Sequence, residues 1–381
     1  MRINELSLIN FRNYQNISLI LSPKTNIFIG NNATGKTNIL ESIYTLALSK
    51  SYKAKDADLI KSGEEFLRVS AKATFNRYDS ELSIYTSLNK KVILVDKDPV
   101  KKLSEYIGLL NVVLFSPDDF LIFKNGPIEK RKFIDFALME TYKTYVENIS
   151  LFKKKLKLRN DYLKMLGSKN VDLDNINDLM LDTLTESFIE TNKKIYVQRK
   201  EFVKELEKIT SIKYAELSGD YNHYIRIMYF SNFNENMSSY KENYKKEILK
   251  GSTEIGCHKD NLKFYKGKED FETSCSQGEK RMLLLSLKLA LIEIIKNARK
   301  DNPILLLDDV FSELDKNHQN RLLSMLDSNI QVIITTTDLI KIGSEALNNS
   351  KIFTINNGSI TEDVNNGWRK NINGKKIWRN R

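Results

Sequence analysis

Eight consecutive residues near the start of the chain have the types and spacing of a phosphate-binding loop. They fit the pattern Gly-x-x-x-x-Gly-Lys-Thr and are, in order, Gly30, Asn31, Asn32, Ala33, Thr34, Gly35, Lys36 and Thr37. In such a loop the glycines let backbone N–H groups surround phosphates, and the following helix adds its positive dipole end. We expect Lys36 to neutralise the β- and γ-phosphates during catalysis and Thr37 to hold Mg²⁺. A preceding strand and a following amphipathic helix favour nucleotide binding over a purely structural turn.

Two acidic residues far along the chain could complete this chemistry. The apolar run from Pro303 to Leu307 ends in Asp308 and Asp309. Such a run is typical of a buried parallel strand, whose carboxyl end is where open α/β sheets bind ligands. We expect Asp308 to join Thr37 at the Mg²⁺ and Asp309 to orient or deprotonate the attacking water. Acids often end strands, so this prediction depends on the phosphate loop being present as well.

A third motif precedes the second one and has two interpretations. The residues Ser276, Gln277, Gly278 and Glu279 form a capping box, which is an ordinary start for a helix. They also resemble the signature motif of ABC-type ATPases, in which one subunit's Ser and Gly contact the γ-phosphate held by another subunit. The residues after the acids look like the D-loop of that dimer interface, and they are Ser312, Glu313, Leu314 and Asp315. Thr335 to Asp338 stands where many such enzymes carry a histidine switch.

The surrounding pattern predicts the elements that position these motifs. Lys24 to Ile29 reads as a strand and Thr37 to Leu48 as an amphipathic helix. Three further strands, 69–74, 81–86 and 91–96, suggest an antiparallel lobe. The predicted fold is therefore α/β, a P-loop mixed sheet with an antiparallel lobe and a large insertion.

The inserted segment is predicted to be a helical arm. Apolar residues recur at a 4-3-4 spacing at Tyr145, Ile149, Phe152, Leu156, Leu163 and Leu166. A second helical stretch follows a polar turn, which favours an antiparallel pair, although an ordinary helical subdomain fits the pattern about as well. We predict domains at 1–135, 136–250 and 251–363, followed by a basic tail at 364–381 that is disordered or faces nucleic acid.

Composition narrows the possible classes of function. The chain has 381 residues and a net charge of +11, which favours polyanionic partners or serves solubility alone. Two cysteines and three scattered histidines argue against a disulfide framework and a zinc centre. The longest apolar stretch, Met282 to Ile295, is short and contains Lys288, so we expect a cytoplasmic protein without a membrane segment.

With these residues in hand, the chain resembles the RecF family, bacterial recombination-repair ATPases related to SMC proteins. The matching motifs run almost from end to end, and they are Asn10-Phe11-Arg12-Asn13-Tyr14, the P-loop, Phe115-Ser116-Pro117-Asp118-Asp119, Lys130-Arg131-Lys132-Phe133-Ile134-Asp135, Gly256-Cys257-His258-Lys259-Asp260, Ser276-Gln277-Gly278 and Leu307 to Asp315. Cys257 stands where the family usually has proline. Lysines replace arginines at Lys130, Lys132 and Lys259, which keeps the charge but loses bidentate phosphate geometry.

The resemblance implies an ABC-type ATPase head with a short arm. It also implies ATP and Mg²⁺ as cofactors, an ATP-dependent homodimer, and weak, DNA-stimulated hydrolysis that acts as a switch. The implied partners are double-stranded DNA near single-strand gaps and junctions, and RecR with RecO, which together aid RecA loading.

Individual contacts are predicted as follows. Arg12 resembles a nucleotide-side contact of related heads. The predicted DNA contacts are Lys130, Arg131, Lys132, Lys153, Lys154 and Lys157, although a charged helix face is usually only solvated. His258 is expected to be a structural histidine.

Two other classes of protein share parts of this pattern. The ATPase subunit of a membrane transporter would be shorter and would carry a Gly-Gly signature, which this chain lacks. Another SMC-like ATPase, of the phage-defence or nuclease-associated kind, would have longer arms or a fused nuclease domain.

Overall fold

The computed structural model describes residues 1–75, 78–169, 173, 176–339, 347, 350–363, 369–370 and 376–377. Its strands are β1 (Arg2–Phe11), β2 (Tyr14–Ile20), β3 (Thr25–Ile29), β4 (Phe66–Thr74), β5 (Asp79–Ser87), β6 (Lys91–Val95), β7 (Asp98–Pro99), β8 (Val112–Phe115), β9 (Ile225–Phe230), β10 (Asn261–Lys266), β11 (Glu269–Asp270), β12 (Ile304–Asp308), β13 (Val332–Thr336), β14 (Ser350–Asn356), β15 (Ser359–Glu362), β16 (Arg369–Lys370) and β17 (Lys376–Ile377). Its helices are α1 (Lys36–Leu48), α2 (Leu103–Tyr106), α3 (Leu121–Lys124), α4 (Pro127–Thr141), α5 (Lys143–Gly167), α6 (Leu179–Ser218), α7 (Met237–Lys241), α8 (Tyr244–Lys250), α9 (Gln277–Arg299) and α10 (Lys316–Ser324).

These elements form two compact units. The first comprises Met1–Lys101, Leu109–Pro117 and Arg299–Arg381, and the second comprises Lys102–Gly108 and Asp118–Ala298. They divide the chain at other points than the predicted domains, whose boundaries stay a prediction. Apart from β16 and β17, the predicted basic tail lies outside the described residues.

The first unit contains a mixed sheet that carries the P-loop. Its strand order is β15-β14-β3-β13-β12-β8, and all neighbours are parallel except β15 and β14. β12 and β13 are buried along their whole length, which is why β12 is apolar up to Asp308 and β13 is apolar up to Thr335 and Thr336. The strand predicted before the P-loop is thus confirmed as β3, with α1 following it.

The second sheet of the first unit is antiparallel, with the order β2-β1-β4-β5-β6-β7. Buried positions alternate along β4, which buries Leu67, Val69, Ala71 and Ala73 on one face. This alternation is the expected pattern for a sheet with one face in the core. The predicted antiparallel lobe is therefore confirmed.

The second unit is built around the long antiparallel helices α5 and α6, which pack against each other. The predicted seam of α5 is buried at Tyr145, Ile149, Phe152, Leu163 and Leu166. The helix α6 begins at Asp178, whose side chain accepts from the amide of Leu181 at 2.8 Å as an N-cap. The predicted antiparallel pair of helices is confirmed as α5 and α6.

Buried arginines organise the core of this second unit. Arg159, in the seam of α5, donates to Glu247 at 2.6 Å and to Thr253 at 2.7 Å, and Nε donates to Thr185 at 2.9 Å. Arg199 of α6 donates to Asp135 at 2.7 Å and to Asp260 at 2.6 Å. Because both guanidinium groups are almost fully buried, their charges are neutralised by these partners and not by water.

The rest of the second unit places the signature motif. A three-stranded antiparallel sheet, β11-β10-β9, precedes α9, and the signature residues begin that helix.

Within the described ranges, no helix has both the length and the hydropathy that a membrane crossing needs.

Candidate nucleotide-binding site

The P-loop joins β3 to α1 and is closed by its own lysine. Lys36 Nζ donates to the carbonyl of Gly30 at 2.8 Å and to that of Asn31 at 2.7 Å. Burial lowers the pKa of Lys36, and the nearby carboxylates of Asp309 and Asp308 partly oppose this effect. The ammonium group therefore lies in a desolvated place where an anionic ligand would be a better partner than two carbonyls.

Two glycines are required by the shape of this loop. Gly35 has a φ of 108°, and a Cβ there would lie 2.5 Å from Asn13 Nδ2 and 2.9 Å from the hydroxyl of Tyr14. A Cβ on Gly30 would lie 2.6 Å from the carbonyl oxygen of Ile355. Other side chains would therefore displace the loop backbone from its place.

The loop is also supported from the β1–β2 hairpin, which the sequence did not indicate. Asn13 Nδ2 donates to the carbonyl of Thr34 at 2.9 Å, and the hydroxyl of Tyr14 donates to that of Gly35 at 2.9 Å. Tyr14 is fully buried, so its ring packs in the core while its hydroxyl holds the loop.

The predicted Mg²⁺ ligands meet in the first unit. Thr37 Oγ1 donates to Asp308 Oδ1 at 2.8 Å, although the two residues are far apart in the sequence. Thr335 at the end of β13 donates to the same oxygen at 2.9 Å. Asp308 is only 4% exposed. A buried carboxylate with two hydroxyl donors is well oriented, because both of its neighbours fix the same oxygen.

Lys53 is a site residue that sequence reasoning missed. Its Nζ lies 3.5 Å from Asp308 Oδ2, and it also stands 5.2 Å from the ring centre of Tyr52. It follows α1 in a segment without a recognisable motif, so only the structure brings it to the acids. It places a second cation beside the predicted metal ligands.

Asp309 follows β12 in a left-handed backbone conformation, with a φ of 52°. Its amide donates to the carbonyl of Thr335 at 3.2 Å. This conformation leads the chain from β12 into the 3₁₀ turn Val310–Glu313. Asp309 is therefore not part of the strand that Asp308 ends.

Arg12, predicted to contact nucleotide, is engaged by a carboxylate of α1. Its Nε and Nη2 each donate to Glu41 at 2.9 Å, and Nη1 donates to the carbonyl of Asp58 at 2.9 Å. The bond to Glu41 is the main cause that raises the pKa of Arg12. The structure therefore gives Arg12 a bidentate protein partner in the middle of α1, and its contact with nucleotide stays a prediction.

The signature motif lies at the exposed start of α9 in the second unit. The capping box is present: Ser276 N and Oγ both lie 2.9 Å from Glu279 Oε2, and Glu279 N donates to Ser276 Oγ at 3.3 Å. A Cβ on Gly278 would meet only Ser276 Oγ, at 4.0 Å. These residues can therefore act both as a helix cap and as a signature motif, because the cap orients Ser276 and leaves it exposed to solvent.

The predicted D-loop lies before α10. Asp315 accepts from the amides of Asn317 at 2.9 Å and His318 at 3.0 Å, so it caps the helix. Leu314 is buried. The side chains of Ser312 and Glu313 lie outside the described residues.

The first group of predicted DNA contacts divides by burial. Lys130 is 1% exposed and pairs with Glu272 inside the second unit. A DNA contact does not fit Lys130, because its buried ammonium would have to leave its ion pair with Glu272. Arg131 is half-buried and donates to the carbonyl of Asp260 at 2.7 Å. Lys132 is exposed and pairs with Glu129 at 2.7 Å.

The second group lies on α5, where Lys153, Lys154 and Lys157 are all exposed. None of the three forms an ion pair with a described residue. His258, by contrast, is half-buried beside Phe152 and Phe188, and its Nε2 lies 2.8 Å from the carbonyl of Thr253. Its surroundings match the predicted structural role.

The donor set of the first unit suits Mg²⁺ and polyphosphate. Mg²⁺ prefers hard oxygen ligands, and the hydroxyl of Thr37 and the carboxylate of Asp308 already lie in contact. Among the described residues no cluster of three or more His, Cys, Asp or Glu could hold a metal alone. This is the usual situation for Mg²⁺, which is bound through one or two protein groups together with substrate phosphates.

Comparisons with known proteins identify the family. A family model described as the RecF/RecN/SMC N terminal domain matches residues 2–361. A DNA replication and repair protein RecF from Staphylococcus epidermidis is 36% identical over 375 residues, covering 94% of this chain and 100% of that protein. Another from Lachnoclostridium phytofermentans is 37% identical over 367 residues, covering 94% and 99%.

Solved structures agree. The recombination mediator protein RecF-ATPrS of the RecFOR pathway matches with a TM-score of 0.85 and 27% identity, covering 95% of this chain and 98% of that chain. An SMC head bound to the C-terminal winged-helix domain of ScpA matches with a TM-score of 0.53 and 16% identity, which shows the shared fold alone. With an ABC-type head, a helical arm and relatives aligned over their whole length, the chain belongs to the RecF family of DNA replication and repair proteins.

Proposed function

We propose that this protein is an ATP-gated clamp on DNA. ATP binding at the P-loop joins two copies, and the joined copies hold duplex DNA near single-strand gaps. The observation that carries the proposal is the contact of Thr37 with Asp308 beside a P-loop that Lys36 closes. Support comes from the RecF-ATP structure of the RecFOR pathway, which this chain matches with a TM-score of 0.82.

Each residue of the first unit has a role in this proposal. Backbone N–H groups of the P-loop and Lys36 bind the phosphates, and Thr37 and Asp308 hold Mg²⁺. Bound Mg²⁺ supplies charge neutralisation at the phosphates. Asp309 orients the attacking water or accepts its proton, and the weak hydrolysis that results releases the clamp.

The signature motif supplies the dimer. The exposed start of α9 offers the hydroxyl of Ser276 and backbone N–H groups near Gln277 and Gly278. A helix start is suited to phosphate because its free N–H groups and its dipole both favour an anion. We propose that these residues contact the γ-phosphate bound by a second copy, with the segment before Asp315 at the same interface.

The arm supplies sequence-independent affinity for DNA. Lys153, Lys154 and Lys157 are exposed on α5 and could each neutralise a phosphate. Such contacts position a duplex without reading its bases. We further propose that the clamp acts with RecR and RecO to aid RecA loading at gaps.

The decisive experiment measures duplex DNA affinity at physiological salt with ATP, with ADP and without nucleotide, together with molar mass by light scattering. We expect tight binding and a doubled mass only with ATP. The Ser276→Arg variant should still bind ATP but should remain a monomer. Equal DNA affinity in all three nucleotide states would reduce the interaction to charge and refute ATP gating.

A further inference from the structure

The hydroxyl of Ser276 is held by one carboxylate oxygen. Glu279 Oε2 accepts from Ser276 Oγ and from Ser276 N, each at 2.9 Å. A serine hydroxyl has only one proton to donate. If Ser276 is to donate to a phosphate, that proton must therefore leave Glu279, while the bond from Ser276 N keeps the loop in place.

The other oxygen of the same carboxylate is occupied by a lysine of β10. Lys266 Nζ donates to Glu279 Oε1 at 2.5 Å and lies 4.0 Å from Asp220. The Lys266 side chain is 15% exposed, so water screens this pair only in part. The bond from Lys266 is the largest cause that lowers the pKa of Glu279 to about 2, followed by the backbone bond from Ser276. Glu279 is thus ionised throughout the physiological range.

This charge would oppose the proposed ligand. A phosphate oxygen that accepts from Ser276 would lie within about 6 Å of the Glu279 carboxylate, since each hydrogen bond spans about 3 Å. Two anions at that separation disfavour each other unless a cation stands beside them. Lys266 is such a cation, and its bond to Oε1 also weakens the competition of Glu279 for the Ser276 proton.

We propose that Lys266 is a positioning residue of the signature motif: it orients the Glu279 carboxylate, which sets the Ser276 hydroxyl, and it neutralises the negative charge beside the arriving γ-phosphate. This inference rests on the proposed role of Ser276 in a second copy's site. Lys266 does not touch the nucleotide; it acts through Glu279.

The test compares Lys266→Met with Lys266→Arg and with the control Lys263→Met, which alters a lysine on the other face of β10. Binding of a fluorescent ATP analogue reports the P-loop, and light scattering reports dimers. Lys266→Met should keep nucleotide affinity but weaken ATP-dependent dimerisation by about tenfold, the equivalent of one pKa unit of interaction. Lys266→Arg should recover most of the loss, and Lys263→Met should match the unaltered protein.

A double-mutant cycle isolates the charge. In a Glu279→Gln background there is no carboxylate to neutralise, so adding Lys266→Met should cost no further dimerisation. An equal additional loss in that background would overturn the proposal. Circular dichroism first verifies that each variant is folded. If Lys266→Met alone folds poorly, Glu279→Gln is compared directly with the double variant.

The outcomes also separate this inference from the proposed function. If Ser276→Arg abolishes dimers but Lys266→Met dimerises normally, the role of Lys266 is refuted and the shared site stands. If Ser276→Arg itself dimerises normally, the shared site is refuted, and the role of Lys266 falls with it.

Discussion

Charged residues serve opposite purposes in the two compact units. In the first unit, Lys36 lies against backbone carbonyls and its pKa is lowered, so the folded protein leaves this cation poorly compensated. In the second unit, the guanidinium of Arg159 donates to Glu247 and faces the rings of Tyr240 and Tyr244, so this charge is compensated inside the protein. Lys36 would therefore gain a better partner when an anionic ligand binds, whereas Arg159 already has its partners within the protein.

The same distinction separates lysines that look alike in sequence. Lys130 is buried against Glu272, and Lys154 is exposed on α5. Only the exposed residue can exchange water and counterions for a phosphate without breaking an internal pair. The comparison teaches that the partner of a charge, and not its type, decides whether it contributes to binding or to stability.

Asp309→Asn should give the largest effect. Loss of a positioned base or water-orienting group slows hydrolysis by about 10²- to 10⁴-fold, while ATP binding is kept because Asn is isosteric. ATP-bound dimers should therefore accumulate, as measured by single-turnover hydrolysis and light scattering. Asp98→Asn, an exposed change in the antiparallel sheet, is the control. Unchanged turnover would remove Asp309 from the reaction.

Arg159→Met should give the next largest effect, on stability instead of activity. Removing one partner of a buried ion pair leaves Glu247 uncompensated and costs about 3–5 kcal/mol of the free energy of unfolding. Guanidinium unfolding followed by circular dichroism measures it. Arg159→Met combined with Glu247→Leu should recover most of that loss. A single-variant loss below about 1 kcal/mol would contradict the structural role of the pair.

Lys36→Ala should lower ATP affinity and leave stability nearly unchanged, which is the opposite of the result expected for Arg159→Met. ATP affinity should fall by roughly 10- to 150-fold, because a charge-assisted phosphate contact contributes about 1.5–3 kcal/mol. The stability without nucleotide should change little, since burial disfavours this ammonium in the folded protein. Titration calorimetry and thermal unfolding measure the two quantities, with Lys50→Ala, a change at an exposed lysine just after α1, as control. A large drop in stability with normal ATP affinity would show that Lys36 contributes to the fold and not to ligand binding.

Lys154→Ala should give the smallest effect. Loss of one phosphate contact should reduce the slope of log affinity against log salt by about 1, with only a modest loss of affinity. Lys130→Met should leave that slope unchanged although it removes the same charge. The measurement is duplex binding at several salt concentrations. Equal slopes for the two variants would show that burial does not separate these lysines.

The sequence was sufficient wherever neighbours in the chain decide the structure. The P-loop, the strand before it and α1 follow from local pattern, and so does the strand that ends in Asp308. The antiparallel strands were visible as alternation, and α5 showed its buried face in its spacing. In each case the spacing of buried positions follows from the order of apolar and polar residues along the chain.

What could not be predicted depends on contacts between distant segments. Thr335 and Lys53 reach Asp308 only because β13 pairs with β12 and the chain after α1 returns to the site. Lys130 meets Glu272 across 142 residues of sequence, and nothing in the polar pattern of α4 marks its buried face. Such pairings follow from the fold as a whole, which local spacing does not encode.

The order of strands in the mixed sheet has a consequence for how the protein is made. β3 carries the P-loop, yet both of its neighbours, β13 and β14, come from the last third of the chain. At about 5–20 residues per second, a ribosome needs on the order of 15–60 s after making β3 before these strands exist. The second compact unit, by contrast, lies entirely between Lys102 and Ala298, so all of its residues are made before β13 and β14. A half-made chain therefore contains the whole P-loop sequence before the strands that flank β3 exist, so the mixed sheet around the P-loop can form only after β13 and β14 have been made.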